Sequence, residues 1–355
     1  MDKPLLEWLN TTTFPTESKF QESSFARGVF SKAVKRHLLN GSTTCVYYSS
    51  IHLEASKILC EIADDAGQRA FVGKVCMDRN GPPYYLEQTA DSIRDSEEFL
   101  KWCVGKNFRL VRPILTPRFA ITCTPELMTS LGDLSKKYHV PIQSHLAETP
   151  QEVDFVSQLF PECKTYTEVY DTYNCLLPGT IMAHSIYLSA SDVSLLKQRE
   201  VGIAHCPNSN TALRSGLLKL RDLLDRDIKV GLGTDVAGGN SFSMLNAIRF
   251  ALSISNINNA LEREPADSQI SVAEAFYLAT LGGARVVGLE DRIGSLEPGK
   301  IFDALVVDAE VERSPYDLFE GDTAWEALNK FIFLGDDRNL ASIFVQGRLV
   351  AGSNN

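Results

Sequence analysis

Seven short apolar runs rich in β-branched residues recur along the chain, and each has the length of a buried strand. Such runs, when helix-length stretches separate them, are typical of strands covered on both faces of a parallel sheet. The runs occupy residues 43–48, 70–76, 110–115, 141–145, 180–184, 201–205 and 228–235. The pattern therefore predicts seven buried parallel strands.

Helix-length amphipathic stretches lie between the runs, at residues 55–66, 124–138, 149–160, 189–199 and 216–226. Two of them open with a capping signal, because Thr124 and Thr149 are each followed by proline and then by an acidic residue nearby. The repeated alternation of strand and helix predicts a parallel sheet or barrel.

The number of strands is one short of a closed barrel, which has eight. Two more helices are predicted after the seventh run, at 243–255 and 272–287, so no eighth run follows it. At the other end the chain opens with a predicted helix, 20–39, where a strand should come first. We therefore predict an α/β fold, a (β/α)8 barrel of the TIM type that lacks its first strand.

The C-terminal part of the chain has a different pattern. Residues 303–308 (DALVVD) and 343–350 (IFVQGRLV) are predicted strands joined by a longer loop. They indicate the C-terminal part of a small β-sandwich domain, left partly unpaired if its partner strands precede Met1. We accordingly divide the chain into a barrel, 1–290, and a small β unit with a closing segment, 291–355.

Composition narrows the possible partners. The chain has 35 Lys and Arg against 45 Asp and Glu, a net charge of −10, which argues against nucleic acid or anionic membranes as partners. No apolar stretch approaches the ~20 residues of a membrane-spanning helix, and the N-terminus lacks the features of a secretory signal. Eight cysteines without a CxxC pair indicate reduced, buried thiols. We expect a cytoplasmic protein.

Polar residues that could bind a metal stand at the C-terminal ends of four predicted strands, which form the active-site face of a parallel barrel. They are His145, His184, His205 and Asp235. A single histidine at a strand end is more often structural, but three in register with an aspartate favour a metal or catalytic site. An unpaired carboxylate at the position of Asp235 would be costly in an apolar setting, which favours a ligand or a base.

Two neighbouring positions offer further chemistry. Glu148 lies three residues after His145, where its carboxylate could move the proton of a metal-activated water, although a helix-start glutamate is the alternative. Arg118 is followed by Phe119, and a guanidinium beside an aromatic ring suits a planar heterocycle. A simple surface ion pair is the alternative for Arg118.

The segments SHLAE, MAHS, HCPNSN and GLGTDVAGG, which contain these strand-end residues, resemble the amidohydrolase superfamily of metal-dependent barrel hydrolases. TPRFAITCT, KVCMD and FLGDDRN narrow the resemblance to the guanine deaminase family. It extends from Pro4 nearly to the C-terminus. The resemblance implies one Zn2+ per subunit, guanine as the substrate, a role in purine catabolism and a homodimer.

The resemblance also implies roles for the strand-end residues. Members of the family bind zinc through an HxH motif on the first strand, a histidine on the fifth and an aspartate on the eighth. His145 and Asp235 match the last two positions and are the implied metal ligands. Glu148 matches the proton shuttle, and His184 matches the site histidine that follows the sixth strand.

The implied substrate site comprises Arg118 and Phe119, which contact the purine, together with His145, Glu148 and Asp235, which border it. In the implied reaction a zinc-activated water attacks C2 of guanine. Glu148 accepts the water's proton and passes it to the ring nitrogen, with Asp235 as a second base. Ammonia then leaves and xanthine forms.

The sequence departs from the family at the HxH motif, since none of its six histidines belongs to such a pair. One hypothesis is a guanine deaminase whose sequence is an N-terminally shortened isoform or comes from an incomplete gene model. A second is a catalytically impaired isoform that acts through dimerisation or protein interaction. A third is a related deaminase of another heterocycle, such as a triazine or an adenosine derivative, against which Arg118 argues.

Overall fold

The computed structural model describes residues 3–262 and 268–352. Nine β segments form the seven parallel strands of a barrel wall, and three more form a separate antiparallel sheet. In chain order the segments are β1 (Thr44–Tyr48), β2 (Arg69–Gly73), β3 (Val75–Cys76), β4 (Val111–Pro113), β5 (Thr116–Pro117), β6 (Gln143–Leu146), β7 (Ile181–His184), β8 (Gly202–His205), β9 (Lys229–Leu232), β10 (Ala304–Val307), β11 (Leu340–Val345) and β12 (Arg348–Ala351).

The strands of the wall follow one another in chain order. Parallel pairing joins β1 to β2 and β2 to β4, and the short continuations β3 and β5 pair in the same way. A bridge between Leu115 and Ile142 leads to the second half, in which β6, β7, β8 and β9 pair in sequence. The seven predicted strands are confirmed. Within the described residues β1 and β9 are not paired, so the wall is open between them.

Helices cover the outside of the barrel wall, and further helices precede its first strand and follow its last. They are α1 (Leu5–Trp8), α2 (Phe14–Glu17), α3 (Ser23–Leu39), α4 (Leu53–Asp65), α5 (Thr89–Lys106), α6 (Pro125–Tyr138), α7 (Pro150–Leu159), α8 (Tyr166–Thr172), α9 (Ala190–Gln198), α10 (Pro207–Ala212), α11 (Leu220–Asp225), α12 (Met244–Glu262), α13 (Val272–Ala279), α14 (Leu281–Val286) and α15 (Ala324–Leu334). Short 3-10 turns lie at Ser18–Gln21, Pro83–Tyr85, Ala120–Thr122 and Asp337–Asn339.

The helix starts show why the capping signals worked. The hydroxyls of Thr124 and Thr149 accept hydrogen bonds from the backbone N–H groups of Leu127 and Glu152. Two predicted helices differ from the structure. The helix predicted at 216–226 is only the six residues of α11, and the one predicted at 272–287 breaks at Thr280 into α13 and α14.

An N-terminal segment that the hydrophobic pattern did not predict precedes α3. It consists of α1, a π-helical stretch at Leu9–Thr13, α2 and the 3-10 turn at Ser18–Gln21. Leu5, Leu9 and Phe14 are buried in the same core as the upper barrel strands. Burial of these apolar side chains fixes the segment against the barrel.

The C-terminal sheet has the order β10-β11-β12 and is antiparallel throughout. The single strand predicted at 343–350 is wrong, because Gln346 and Gly347 both have positive φ and turn the chain into a hairpin. The loop predicted before it contains α15. Ile343 and Val345 share a core with α3 and α4. The domain boundary at residue 290 stays a prediction.

Two observations complete the architecture. In the described part of the chain, no helix combines the length and the hydrophobicity needed to cross a bilayer. All eight cysteines carry free thiols, and six of them are buried.

Candidate functional site

Three histidines lie within the C-terminal ends of β6, β7 and β8, and Asp235 follows β9. Parallel strands end at one rim of a barrel, so these side chains meet there. The backbone at the rim is unusual, because His184 and Asp235 have φ values of 66° and 46°. Non-glycine residues seldom adopt this left-handed conformation, and when they do they often lie at functional sites.

The ring of His145 is fixed on several sides. Its Nδ1 lies 2.7 Å from the carbonyl oxygen of Arg118, which can only accept, so Nδ1 carries the proton and Nε2 keeps a lone pair. The ring stacks on His184 with centroids 5.4 Å apart. Burial, helped by the nearby charge on His184, lowers the pKa of His145 to about 3. A neutral imidazole with a free Nε2 is a suitable metal ligand.

The ring of His184 faces two carboxylates. Its Nδ1 is 2.8 Å from Oδ1 of Asn210, and its Nε2 is 3.5 Å from Oε2 of Glu148 and 3.9 Å from Oδ2 of Asp235. Burial opposes the charged imidazolium, but the carboxylates of Glu148 and Asp235 outweigh it and raise the pKa of His184. The structure therefore brings together three residues that the sequence assigned to catalysis.

Glu148 is buried, and its contacts differ from those of a glutamate that caps a helix start. The capping role at the start of α7 belongs to Glu152, whose carboxylate accepts from the backbone N–H groups of Glu148 and Thr149. The carboxylate of Glu148 instead accepts a 2.7 Å hydrogen bond from Oγ of Ser215 and approaches His184. Burial raises the pKa of Glu148. A carboxyl group with a raised pKa is suited to accept and return a proton.

Arg118 is not a surface residue. Its guanidinium is buried and makes a two-pronged ion pair with Glu17, with Nη1 2.7 Å from Oε2 and Nη2 3.0 Å from Oε1. It also lies over the ring of Phe14, 5.0 Å from the centroid. Phe119, the next residue, is buried 6.4 Å from the ring of His145. Both residues therefore contact His145, Arg118 through its carbonyl oxygen and Phe119 through its ring.

Glu17 was missed in the sequence analysis. It lies at the end of α2 in the N-terminal segment, 101 residues before Arg118. Oε2 of Glu17 also accepts a 2.6 Å hydrogen bond from the hydroxyl of Tyr85. A pairing over so long a separation leaves no periodic signal in the sequence.

His205 lies at the rim but has a different environment. It is fully buried, and neither of its ring nitrogens has a hydrogen-bond partner in the ranges 3–262 and 268–352. Burial lowers its pKa to about 3, and the charge on His184 adds to this effect. The structure therefore places it beside the other rim residues without joining it to their hydrogen bonds.

The donors at the rim are of the kind that zinc prefers. His145 offers Nε2, and Asp235 offers a carboxylate whose side chain is 31% exposed. Among the residues that the structure describes, however, no three His, Cys, Asp or Glu side chains are grouped closely enough to hold a metal ion. His145 and Asp235 therefore fit as part of a metal shell that needs further donors.

Comparison with known proteins gives a consistent result. The profile of the amidohydrolase family matches residues 1–350 of this chain. The chain is 47% identical to guanine deaminase of Rattus norvegicus over 355 residues, which is 99% of this chain and 78% of that protein. It is 36% identical to guanine deaminase of Escherichia coli, with the same coverage.

A solved structure can be compared with the fold directly. Guanine deaminase from C. acetobutylicum, with guanine bound in its active site, superposes with a TM-score of 0.92 at 38% identity. The match covers 99% of this chain and 81% of that one.

Proposed function

The chain belongs to the amidohydrolase family, and from that premise we propose that its reaction is the hydrolytic deamination of guanine to xanthine and ammonia. The observation that carries the proposal is the meeting of Glu148, His184 and Asp235 at one rim of the barrel beside the buried Arg118. The deamination of a purine needs groups that transfer protons and a donor that holds the ring, and these residues are of both kinds.

The reaction adds water to C2 of guanine and expels the amino group attached there. The oxygen of water forms the new bond to C2, and the C2–N bond breaks as the amine leaves as ammonia. Both protons of the water move: the first passes to the ring nitrogen as the C2–O bond forms, and the second passes from the new C2 hydroxyl to the amine as the C2–N bond breaks. We propose that Glu148 accepts and returns these protons through Oε2, with Asp235 as a second base; the approach of both carboxylates to His184 supports this assignment.

Arg118 and Phe119 are the proposed contacts to the purine. The guanidinium has five N–H donors, of which the ion pair with Glu17 uses two, so donors remain for a ring carbonyl. The ring of Phe119 offers an apolar surface to the heterocycle. His145, below them, completes the border of the proposed substrate space.

We propose zinc as the cofactor, held in part by His145 and Asp235. When bound, the ion would lower the pKa of a water molecule and so supply the nucleophile near neutral pH. The hydrogen bond from Nδ1 of His145 to the carbonyl oxygen of Arg118 would orient this ligand, as partners of metal-binding histidines commonly do.

The zinc proposal predicts that His145→Asn weakens zinc binding by at least about 100-fold, since loss of an orienting partner alone costs about 10- to 100-fold. Metal content after dialysis at a series of free zinc concentrations measures the effect. His139→Asn is the matched control, because His139 is exposed on the C-terminal side of α6. Equal zinc content in both variants would contradict the assignment of His145.

Arg118→Ala is expected to lower kcat/KM for guanine by about 100-fold, because a misplaced substrate loses much of its oriented reactivity. Steady-state formation of xanthine measures this. Arg112→Ala, at an exposed position of β4, should leave the rate unchanged. An unchanged rate in Arg118→Ala would reopen the choice of another heterocycle as the substrate.

The decisive test of the proposed function is conversion of guanine to xanthine by the 355-residue chain with zinc supplied. The same chain joined to an N-terminal segment with an HxH motif is the comparison, since the described residues supply only part of a metal shell. Activity in either protein supports the reaction. Inactivity in both would favour a role through protein interaction.

A homodimer and a cytosolic location are proposed from the resemblance alone. Sedimentation of the purified protein tests the first, and the distribution of the tagged protein in cells tests the second.

A further inference from the structure

The ion pair of Arg118 does more than neutralise a buried charge. The carboxylate of Glu17 accepts hydrogen bonds from both Nη atoms of the guanidinium. Its Oε2 also accepts a hydrogen bond from the hydroxyl of Tyr85. That hydroxyl in turn accepts a 3.2 Å hydrogen bond from the backbone N–H of Ile51. A chain of hydrogen bonds therefore holds the guanidinium of Arg118. It begins at Ile51, in the loop after β1, and runs through Tyr85 and Glu17.

The same segment supplies a second restraint. Phe14, three residues before Glu17 on α2, is buried and lies under the guanidinium, and its ring packs against Tyr85 with centroids 5.8 Å apart. The carbonyl oxygen of the same Arg118 accepts a hydrogen bond from Nδ1 of His145. A shift of Arg118 would thus disturb both the purine contact and the orientation of His145.

The charge of the pair has a chemical consequence for the ligand. A free guanidinium would favour an anion, whereas one paired with a carboxylate presents N–H donors with little net charge. Guanine is neutral near pH 7. Replacing its amino group by an oxo group adds an acidic imide N–H, so xanthine is more acidic and carries more negative charge.

We propose that Glu17 is a positioning residue that holds Arg118 for the neutral purine substrate and weakens the retention of the more anionic product. This inference rests on the proposed function, in which Arg118 contacts guanine. Glu17 acts through Arg118 and takes no part in proton transfer, since its carboxylate oxygens are occupied by Arg118 and Tyr85.

The test replaces Glu17 by glutamine in the zinc-loaded protein. We expect KM for guanine to rise roughly tenfold with a smaller fall in kcat, because a charge-assisted hydrogen bond that positions the donor is lost and His145 is oriented by the same residue. Inhibition by xanthine should become stronger relative to inhibition by hypoxanthine, a neutral purine with the same six-membered-ring carbonyl. Glu17→Asp, which keeps the charge, should recover part of the selectivity.

The control is Glu7→Gln, an exposed position of α1 in the same segment, which should behave as the wild type. Equal loss of affinity for xanthine and hypoxanthine in Glu17→Gln would overturn the inference, because that result means a merely structural role. Unchanged KM and inhibition would overturn it too.

Calorimetric binding of the two inhibitors separates this inference from the proposed function. A wild type that binds purines without deaminating guanine overturns the proposed function alone, and the selectivity of Glu17→Gln still decides the role of Glu17. Failure of the wild type to bind either purine overturns both.

Discussion

Glu148→Gln lowers kcat for guanine deamination by about 10²- to 10⁴-fold, the usual contribution of a positioned general acid–base group. The amide keeps the shape of the side chain and can still accept the hydrogen bond from Ser215. It cannot take a proton from water and return it to the ring. KM should change less than kcat, because the amide still borders the substrate and the proposed purine contacts of Arg118 and Phe119 are untouched.

The pH dependence of the wild-type rate is a second test of the role of Glu148. Burial raises the pKa of Glu148, so the ionised base is lost as the pH falls through a value above the ordinary range of glutamate. The wild-type rate should therefore begin to fall at a higher pH than an ordinary glutamate would give. The residual rate of Glu148→Gln should not show this fall at acid pH.

The same shift predicts a change in stability. Because its folded-state pKa is raised, the protonated Glu148 stabilises the fold, and that contribution is present at low pH and lost as the pH rises through the folded pKa. Glu148→Gln should therefore have a higher melting temperature than the wild type at neutral pH.

Glu162→Gln is the matched control, since Glu162 is exposed and bonds only to the hydroxyl of Tyr173 among the described residues. Rates of xanthine formation and thermal melting of the three proteins complete the comparison. A Glu148→Gln enzyme with at least a tenth of the wild-type kcat would remove Glu148 from the proton path.

Lys74→Met lowers the free energy of unfolding by about 3–5 kcal/mol, the cost of breaking a buried ion pair by removing one partner. Lys74 lies between β2 and β3, and its Nζ donates a hydrogen bond to the carboxylate of Glu87. The side chains are 1% and 9% exposed. Glu87 also accepts from the backbone N–H of Met77 at 3.2 Å and from Oγ of Ser92 at 2.9 Å.

Removing Lys74 leaves the carboxylate of Glu87 buried without its counter-charge. Urea unfolding of the wild type and variant measures the loss. Lys101→Met is the control, because Lys101 is exposed, and its ion pair with the partly buried Glu97 contributes about 1 kcal/mol at most. The double variant Lys74→Met/Glu87→Gln should recover part of the stability. Similar losses for Lys74→Met and Lys101→Met would show that the buried pair is not important.

The sequence predicted the barrel well because burial on both faces gives each parallel strand a short apolar run. The same reasoning located His145, His184 and Asp235, since strand ends in a parallel barrel share one rim. The hairpin of β11 and β12 was missed because Gln346-Gly347 is not among the strongest turn dipeptides. The helix α15 was missed although Thr323 and Glu326 form a capping box at its start.

The ion pair of Arg118 could not be predicted in the same way. Sequence reasoning recognised a guanidinium next to an aromatic ring, but it could not name a partner 101 residues away. Glu17 follows Phe14 in a segment of short helical turns, where neither strand nor helix periodicity holds over a useful length. Only the tertiary packing of Leu5, Leu9 and Phe14 brings its carboxylate to the site.

Because β1 and β9 do not pair with each other in the part of the chain that the structure describes, the barrel wall has a gap in its main-chain hydrogen bonds between these two strands, which we call the seam. Main-chain amides in β7 have neighbours on both sides, whereas β1 and β9 each have a paired strand on only one side within the described residues. Local opening should therefore begin at the seam, and amide deuterium uptake should be fastest there and slowest in β7. Tyr48 on β1 and Asp235 after β9 flank this seam, so fluctuations that separate its two sides would reach the candidate site at the rim first.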